Sequence, residues 1–183
     1  MPVGRASGLG PRASAGAATV AIDDGVTLPA ALARTLRREL ARMVKAAARS
    51  EGRRALEVAV RLCGDAAIRE LNAGWRGKDK PTDVLAFAQR EAAAADPGLL
   101  GDVVISVETA RRQAKRGLHA ELLHLASHGL CHLLGYDHRD DAEERVMNAR
   151  AAELRAAATA ASSTPRRARR RTRRTGRGRA GRA

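Results

Sequence analysis

The stretch from Ser127 to Asp141 reads SHGLCHLLGYDHRDD, with histidines at His128, His132 and His138 and a glycine at Gly135. On a helix, residues four apart share one face about one turn apart, so His128 and His132 can point at one cation with imidazole nitrogens at about 2.0–2.1 Å. Gly135 falls where a helix commonly ends in a left-handed residue, and the residues after it can bring His138 back toward the pair. Three neutral imidazoles leave the fourth tetrahedral position open, which is the layout of a catalytic rather than a structural zinc site. One zinc ion held by His128, His132 and His138 is therefore expected, although three imidazoles also suit other divalent transition metals. A lone histidine is more often a core or surface residue. Three at this spacing, with the glycine between, fit that plainer reading poorly.

The same H-x-x-x-H-x-x-G-x-x-H spacing holds zinc in a class of metalloproteases, whose general base is a glutamate directly after the first histidine. Here that position is Gly129, so a peptide hydrolase would lack the group that moves the proton. Cys131 is rotated about 100° from His132 on the helix and is expected to be a small buried hydrophobe rather than a ligand. His124, one turn before His128, is expected to pack or to orient a ligand, and His119 to sit at a helix start.

These residues need elements to hold them. The stretch TVAID from Thr19 is short and apolar and is ended by Asp23, Asp24 and Gly25, and Leu28, Leu32, Leu36, Leu40, Met43 and Val44 then recur at helical period to about Arg49. The arginines of that helix, Arg34, Arg37, Arg38 and Arg42, are expected to form its solvated face. Leu56, Val58, Val60 and Leu62 alternate with Glu57, Ala59 and Arg61 as in a half-buried strand. A helical segment from Asp65 to Gly74 leads to two more strands, Thr82–Ala88 and Asp102–Val107. From Glu108 to about Ala158 the pattern is helical, broken at Gly117 and around Gly135 to His138. The order is strand, helix, strand, helix, strand, strand, then three helices, which predicts an α/β (α+β) fold: a small mixed sheet packed with helices, carrying the zinc site on a helix of the C-terminal half and the loop after it.

The 183 residues suit one domain, expected over residues 18–160. Residues 1–17 are rich in Gly, Ala, Ser and Pro and are expected to be a disordered leader. Residues 161–183 form an arginine-rich tail, expected to be disordered because its like charges repel and little in it is apolar. Ten arginines and no acid lie between Pro165 and Ala183, so without them the net charge falls from +14 to +4. Such a tail can serve solubility or can contact RNA phosphates with release of counterions. Trp75, Phe87 and Tyr136 are the only aromatics, too few for a repeated base-stacking platform. Two distant cysteines, Cys63 and Cys131, suit a reducing cytoplasm, and neither a secretory signal nor a membrane-spanning run is evident.

HGLCHLLGYDH, together with LNAGWRGKDKPTDVLAFA and GDVVIS upstream, resembles the YbeY family of bacterial single-strand-specific endoribonucleases over about residues 19 to 158. The resemblance implies an α/β fold and a zinc ion on His128, His132 and His138. It also implies a role in rRNA processing (16S rRNA 3′-end maturation) and ribosome quality control at the small subunit, on single-stranded RNA. It carries a catalytic arginine over to Arg76 in GWRGKDK, beside His128 as the other residue at the chemistry. Cys131 stands where the family commonly has Leu, Trp75 where it has Tyr, and Ala86, Phe87 and Ala88 where it has Ser-Phe-Pro. None of these departures removes a ligand.

Phosphodiester cleavage concentrates negative charge on phosphoryl oxygens, which a metal and a guanidinium can stabilise without a carboxylate base. Arg76 offers a planar fork to phosphate, with Lys78 and Lys80 as looser charges nearby, although a solvated basic loop would read the same way. Asp137 is a candidate to orient a ligating imidazole. The alternatives are a non-catalytic zinc-containing factor that binds RNA or the ribosome, and then a zincin-like metalloprotease.

Overall fold

The computed structural model describes residues 18–89, 98–137 and 139–160. The expected leader and tail lie outside the described residues. Nine elements follow in the expected order: β1 (Ala18–Ile22), α1 (Ala30–Ser50), β2 (Glu57–Cys63), α2 (Asp65–Arg76), β3 (Val84–Ala88), β4 (Leu99–Ser106), α3 (Val107–Gln113), α4 (Leu118–Leu134) and α5 (Asp141–Thr159). Among the described residues no helix is long and apolar enough to cross a membrane.

The four strands form one mixed sheet in the order β1-β2-β4-β3. β1 and β4 both run parallel to β2, while β3 pairs antiparallel with β4, Val84 opposite Ile105 and Ala88 opposite Gly101. The alternation expected of β2 holds. Val58, Val60 and Leu62 join Val103 and Ile105 of β4 under α1, α4 and α5, forming the main core. On the other face Cys63, Val104 and Leu85 meet Ile68 of α2 in a smaller core, with Phe87 and Leu71 beside it.

α1 is built of Ala, Leu and Arg, good helix formers, and turns Leu36, Leu40, Met43, Val44 and Ala47 to the sheet. Each of its larger buried side chains contributes about 1.5–3 kcal/mol of transfer free energy. One of its arginines departs from the solvated face: Arg42 reaches across to donate to the carbonyls of Ala158 (3.2 Å) and Ala160 (3.4 Å). Those are among the last carbonyls of α5, which lack partners within the helix, and the last turn of α5 has no basic residue of its own.

A polar knot joins the C-terminal ends of β2 and β4. The Asp65 carboxylate, at the start of α2, accepts from the hydroxyls of Ser106 and Thr109 (2.7 Å to Thr109) and pairs with Arg112 at 2.7 Å. Burial pushes this carboxyl up, yet the hydrogen bonds from Arg112, Ser106 and Thr109 outweigh it and hold the pKa at about 2. Ser106 in turn caps α3 by accepting from the Thr109 amide.

Candidate active site

α4 is buried on most of its circumference. Leu122, Leu123, Leu125, Ala126, Leu130, Cys131 and Leu133 are all in the core, and Cys131 is fully buried as its position on the helix predicts. The face left partly open carries His124, His128 and His132, one residue per turn. The core thus aims the histidine stripe outward.

Along that stripe the rings of His128 and His132 converge. Their Nε2 atoms are 3.2 Å apart, with the rings nearly perpendicular at 85°. Two nitrogens bound to one tetrahedral zinc at about 2.0–2.1 Å would lie about 3.3 Å apart, so the pair fits two corners of such a site. His138, expected as the third ligand, lies outside the described residues. Among the described residues no three His, Cys, Asp or Glu side chains gather around one point.

The turn after the pair is as the sequence predicts. Gly135 adopts φ 97°, and the amides of Gly135 and Tyr136 close on the carbonyls of His132 and Cys131, both at 3.0 Å. On the far side Asp140 caps α5 by accepting from the amides of Ala142 and Glu143 at 2.9 and 2.8 Å. Asp137 is exposed and lies 3.7 Å from the Arg139 guanidinium.

Gly129 explains the missing glutamate. A Cβ at this position would lie 2.6 Å from Cγ1 of Val103 and 3.4 Å from Cγ2 of Val84, so residue 129 faces the sheet and not the open stripe. A longer side chain there would be driven into β4. The helix sits this close to the sheet only because position 129 has no side chain.

The other two histidines have partners of their own. His119 lies in the first turn of α4, as expected, and its Nε2 is 2.6 Å from Oε2 of Glu39, a buried carboxylate of α1. The sequence carries no sign of this pairing across 80 residues. His124 is exposed, its ring 6.4 Å from that of His128, and its Nδ1 lies 3.4 Å from the Arg155 guanidinium. Arg155 also donates to the buried Ser127 hydroxyl at 2.8 Å, bracing α4 against α5.

Arg76 ends α2 and is fully on the surface, with no ion pair or side-chain hydrogen bond to the described residues. Its helix packs on the sheet face opposite α4, and both helices contact β3, one of the two edge strands. The fold therefore brings His128 and His132 together and sets Arg76 on a separate element along the same edge. The basic loop after Arg76 is well held. Gly77 and Lys78 close onto α2 through the carbonyls of Ala73 and Asn72, and the buried Asn72 amide donates to the Lys80 carbonyl at 2.8 Å. Asp79 is paired with Arg69 at 2.6 Å, which leaves Arg76, Lys78 and Lys80 as the cationic groups there.

Residues 27–158 match the family described as Endoribonuclease YbeY. A relative of that name from Anaeromyxobacter sp. strain Fw109-5 is 51% identical over 106 residues, covering 56% of this chain and 55% of the relative. Another from Synechococcus sp. strain RCC307 is 52% identical over 103 residues, covering 52% of this chain and 64% of the relative. A third, from Moorella thermoacetica, is 51% identical over 123 residues, 61% of this chain and 79% of the relative. This chain thus spans less than two thirds of the first two relatives. The solution structure of TM1509 from Thermotoga maritima is similar in fold, with 26% identity and a TM-score of 0.51 over 77% of this chain and 88% of that one. The match over most of the chain, on the fold that converges His128 and His132, assigns this protein to the Endoribonuclease YbeY family.

Proposed function

We propose that this protein is a zinc-dependent, single-strand-specific endoribonuclease that acts on ribosomal RNA in the cytoplasm, in 16S rRNA 3′-end maturation and ribosome quality control at the small subunit. The observation that carries the reading is the 3.2 Å approach of the His128 and His132 Nε2 atoms in a chain of this family. His128, His132 and His138 are the residues that would hold the metal. When bound, zinc supplies Lewis acidity toward a phosphoryl oxygen.

The remaining work falls to the chain's own groups. Arg76 is exposed and has no side-chain partner among the described residues, so its guanidinium can take two phosphate oxygens at once and stabilise the charge that develops as the bond to the leaving oxygen breaks. Lys78 and Lys80 hold flanking phosphates as point charges. The protease alternative finds no support in Gly129, whose side-chain direction leads into Val103. The arginine-rich tail adds phosphate contacts, and removing residues 162–183 should weaken RNA binding and flatten its salt dependence.

The test is cleavage of a ribosomal RNA substrate by wild type, His128→Ala and Arg76→Ala, with zinc content determined on the same samples. Loss of metal and cleavage in the first variant, and of cleavage alone in the second, is the expected result. Bound zinc without any RNA cleavage by wild type would refute the nuclease and favour a binding factor. A cyclic phosphate on the product would assign attack to the RNA 2′-OH, and its absence to water.

A further inference from the structure

Trp75 is the only tryptophan of the chain, and 52% of its surface is exposed. Tryptophan is usually well buried, and among the described residues only Val146 is comparably exposed for a large hydrophobic side chain. Its ring is not isolated. Phe87, on β3, lies beside it with ring centroids 5.5 Å apart and planes inclined at 60°. With just three aromatics in the sequence, the fold places two of them side by side at the surface.

The surroundings are cationic. Arg76 follows Trp75 directly, and Lys78 and Lys80 stand exposed on the loop that Asn72 fastens to α2. The one acid of that loop, Asp79, is engaged by Arg69. An exposed indole ring followed in sequence by three exposed cations suits an anionic chain that carries aromatic rings. An apolar protein surface would have to leave those charges against it unpaired.

We propose that Trp75, with Phe87 supporting it, is a stacking site for one unpaired nucleobase of the RNA strand, while Arg76, Lys78 and Lys80 engage the adjoining phosphates. The inference rests on the RNA reading above and extends it to how the strand is held. A base can lie on the Trp75 ring only when that face is not already covered by its neighbours in a duplex, so the site itself selects single strands. Phe87 is three residues along β3 from Val84, about 10 Å, and Val84 lies against Gly129 beside His128. Val84 and Phe87 point to opposite faces of β3, so the stacking site lies on the α2 side of the strand and the histidine helix on the other, both in contact with β3.

The single tryptophan makes the test direct. The full-length protein is titrated with a 2′-O-methyl oligouridylate while Trp75 fluorescence is followed, and binding is measured independently by anisotropy of the same oligonucleotide carrying a dye. Saturable quenching is expected from the single strand, with little from the corresponding duplex or from inorganic polyphosphate. Trp75→Ala should bind about ten-fold more weakly at fixed salt, the usual scale of one base on one aromatic ring, and Trp75→Phe should recover most of that loss. Unchanged affinity in Trp75→Ala, or equal quenching by polyphosphate, would overturn the stacking site and leave the nuclease reading standing. No binding of the oligonucleotide by anisotropy would instead remove the RNA reading and the site together. Fluorescence that changes with protein concentration alone would assign the surface to a second copy of the chain and refute the proposal.

Discussion

Replacing Gly129 by alanine sets two effects of known size against each other. Alanine is favoured over glycine inside a helix by about 1 kcal/mol, so on propensity alone the variant would be more stable. Its methyl group, however, would sit 2.6 Å from Cγ1 and 3.1 Å from Cγ2 of Val103, well inside van der Waals contact. Val103 cannot yield easily, because it is 1% exposed, branched at Cβ and held in a strand between two neighbours. Overpacking of this kind costs about 1–3 kcal/mol, and the shortness of the contact puts it at the upper end. The net expectation is a loss of about 2 kcal/mol, seen as a Tm lower by about 5 °C or as a lower urea midpoint with unchanged slope. Trimming Val103 to alanine in the same chain removes the obstructing methyls, so the double variant should lose less than the sum of the two single variants. Because His128 is the preceding residue, the displaced helix should also disturb the approach of His128 to His132. A Gly129→Ala protein as stable as wild type, or more so, would refute the close approach of α4 to β4 and with it the explanation for the absent glutamate.

Asp65 gives a pH dependence. Its folded pKa of about 2 lies below the ordinary carboxylate value, so its stabilisation is complete above about pH 4 and lost as the pH falls through about 2. The carboxylate is 24% exposed, which trims the contribution to about 1 kcal/mol; Asp65→Asn should flatten the acid limb of the stability curve across that window, and an unchanged limb would count against the knot. Burial pushes the thiols of Cys63 and Cys131 up to about 11, so iodoacetamide at pH 8 should label neither in the native protein and both in denaturant. Rapid native labelling would show that one of them is accessible.

The order of the elements was legible because the hydrophobic period changes cleanly from two to near 3.6 along the chain, as at Leu56–Leu62 against Leu36–Val44. The pairing of His128 with His132 was legible too, since helix geometry alone sets four-residue neighbours on one face. The strand order was not, because β3 precedes β4 in sequence yet lies outside it, a choice made by long-range packing. For the same reason Gly129 read only as a missing base, when its role is set by Val103 across the core. Glu39 with His119, and Trp75 with Phe87, join segments whose local patterns say nothing of each other. Arg42 looked like one solvated cation among four until α5 brought its carbonyls within reach.

The strand order also dictates a sequence of events during synthesis. β1, α1, β2 and α2 emerge first, and β1 can pair with β2 at once, but β3 has only β4 for a neighbour and must wait for a strand made after it. α4, made later still, needs both strands as the floor for Gly129. The β3 side of the sheet and α4 thus take shape after the β1–β2 side, and α5 closes over α1 and α4 last, an order that pulse-labelled hydrogen exchange would time. A nascent chain of this protein stays without the converging His128 and His132 until nearly all of its described elements have been made.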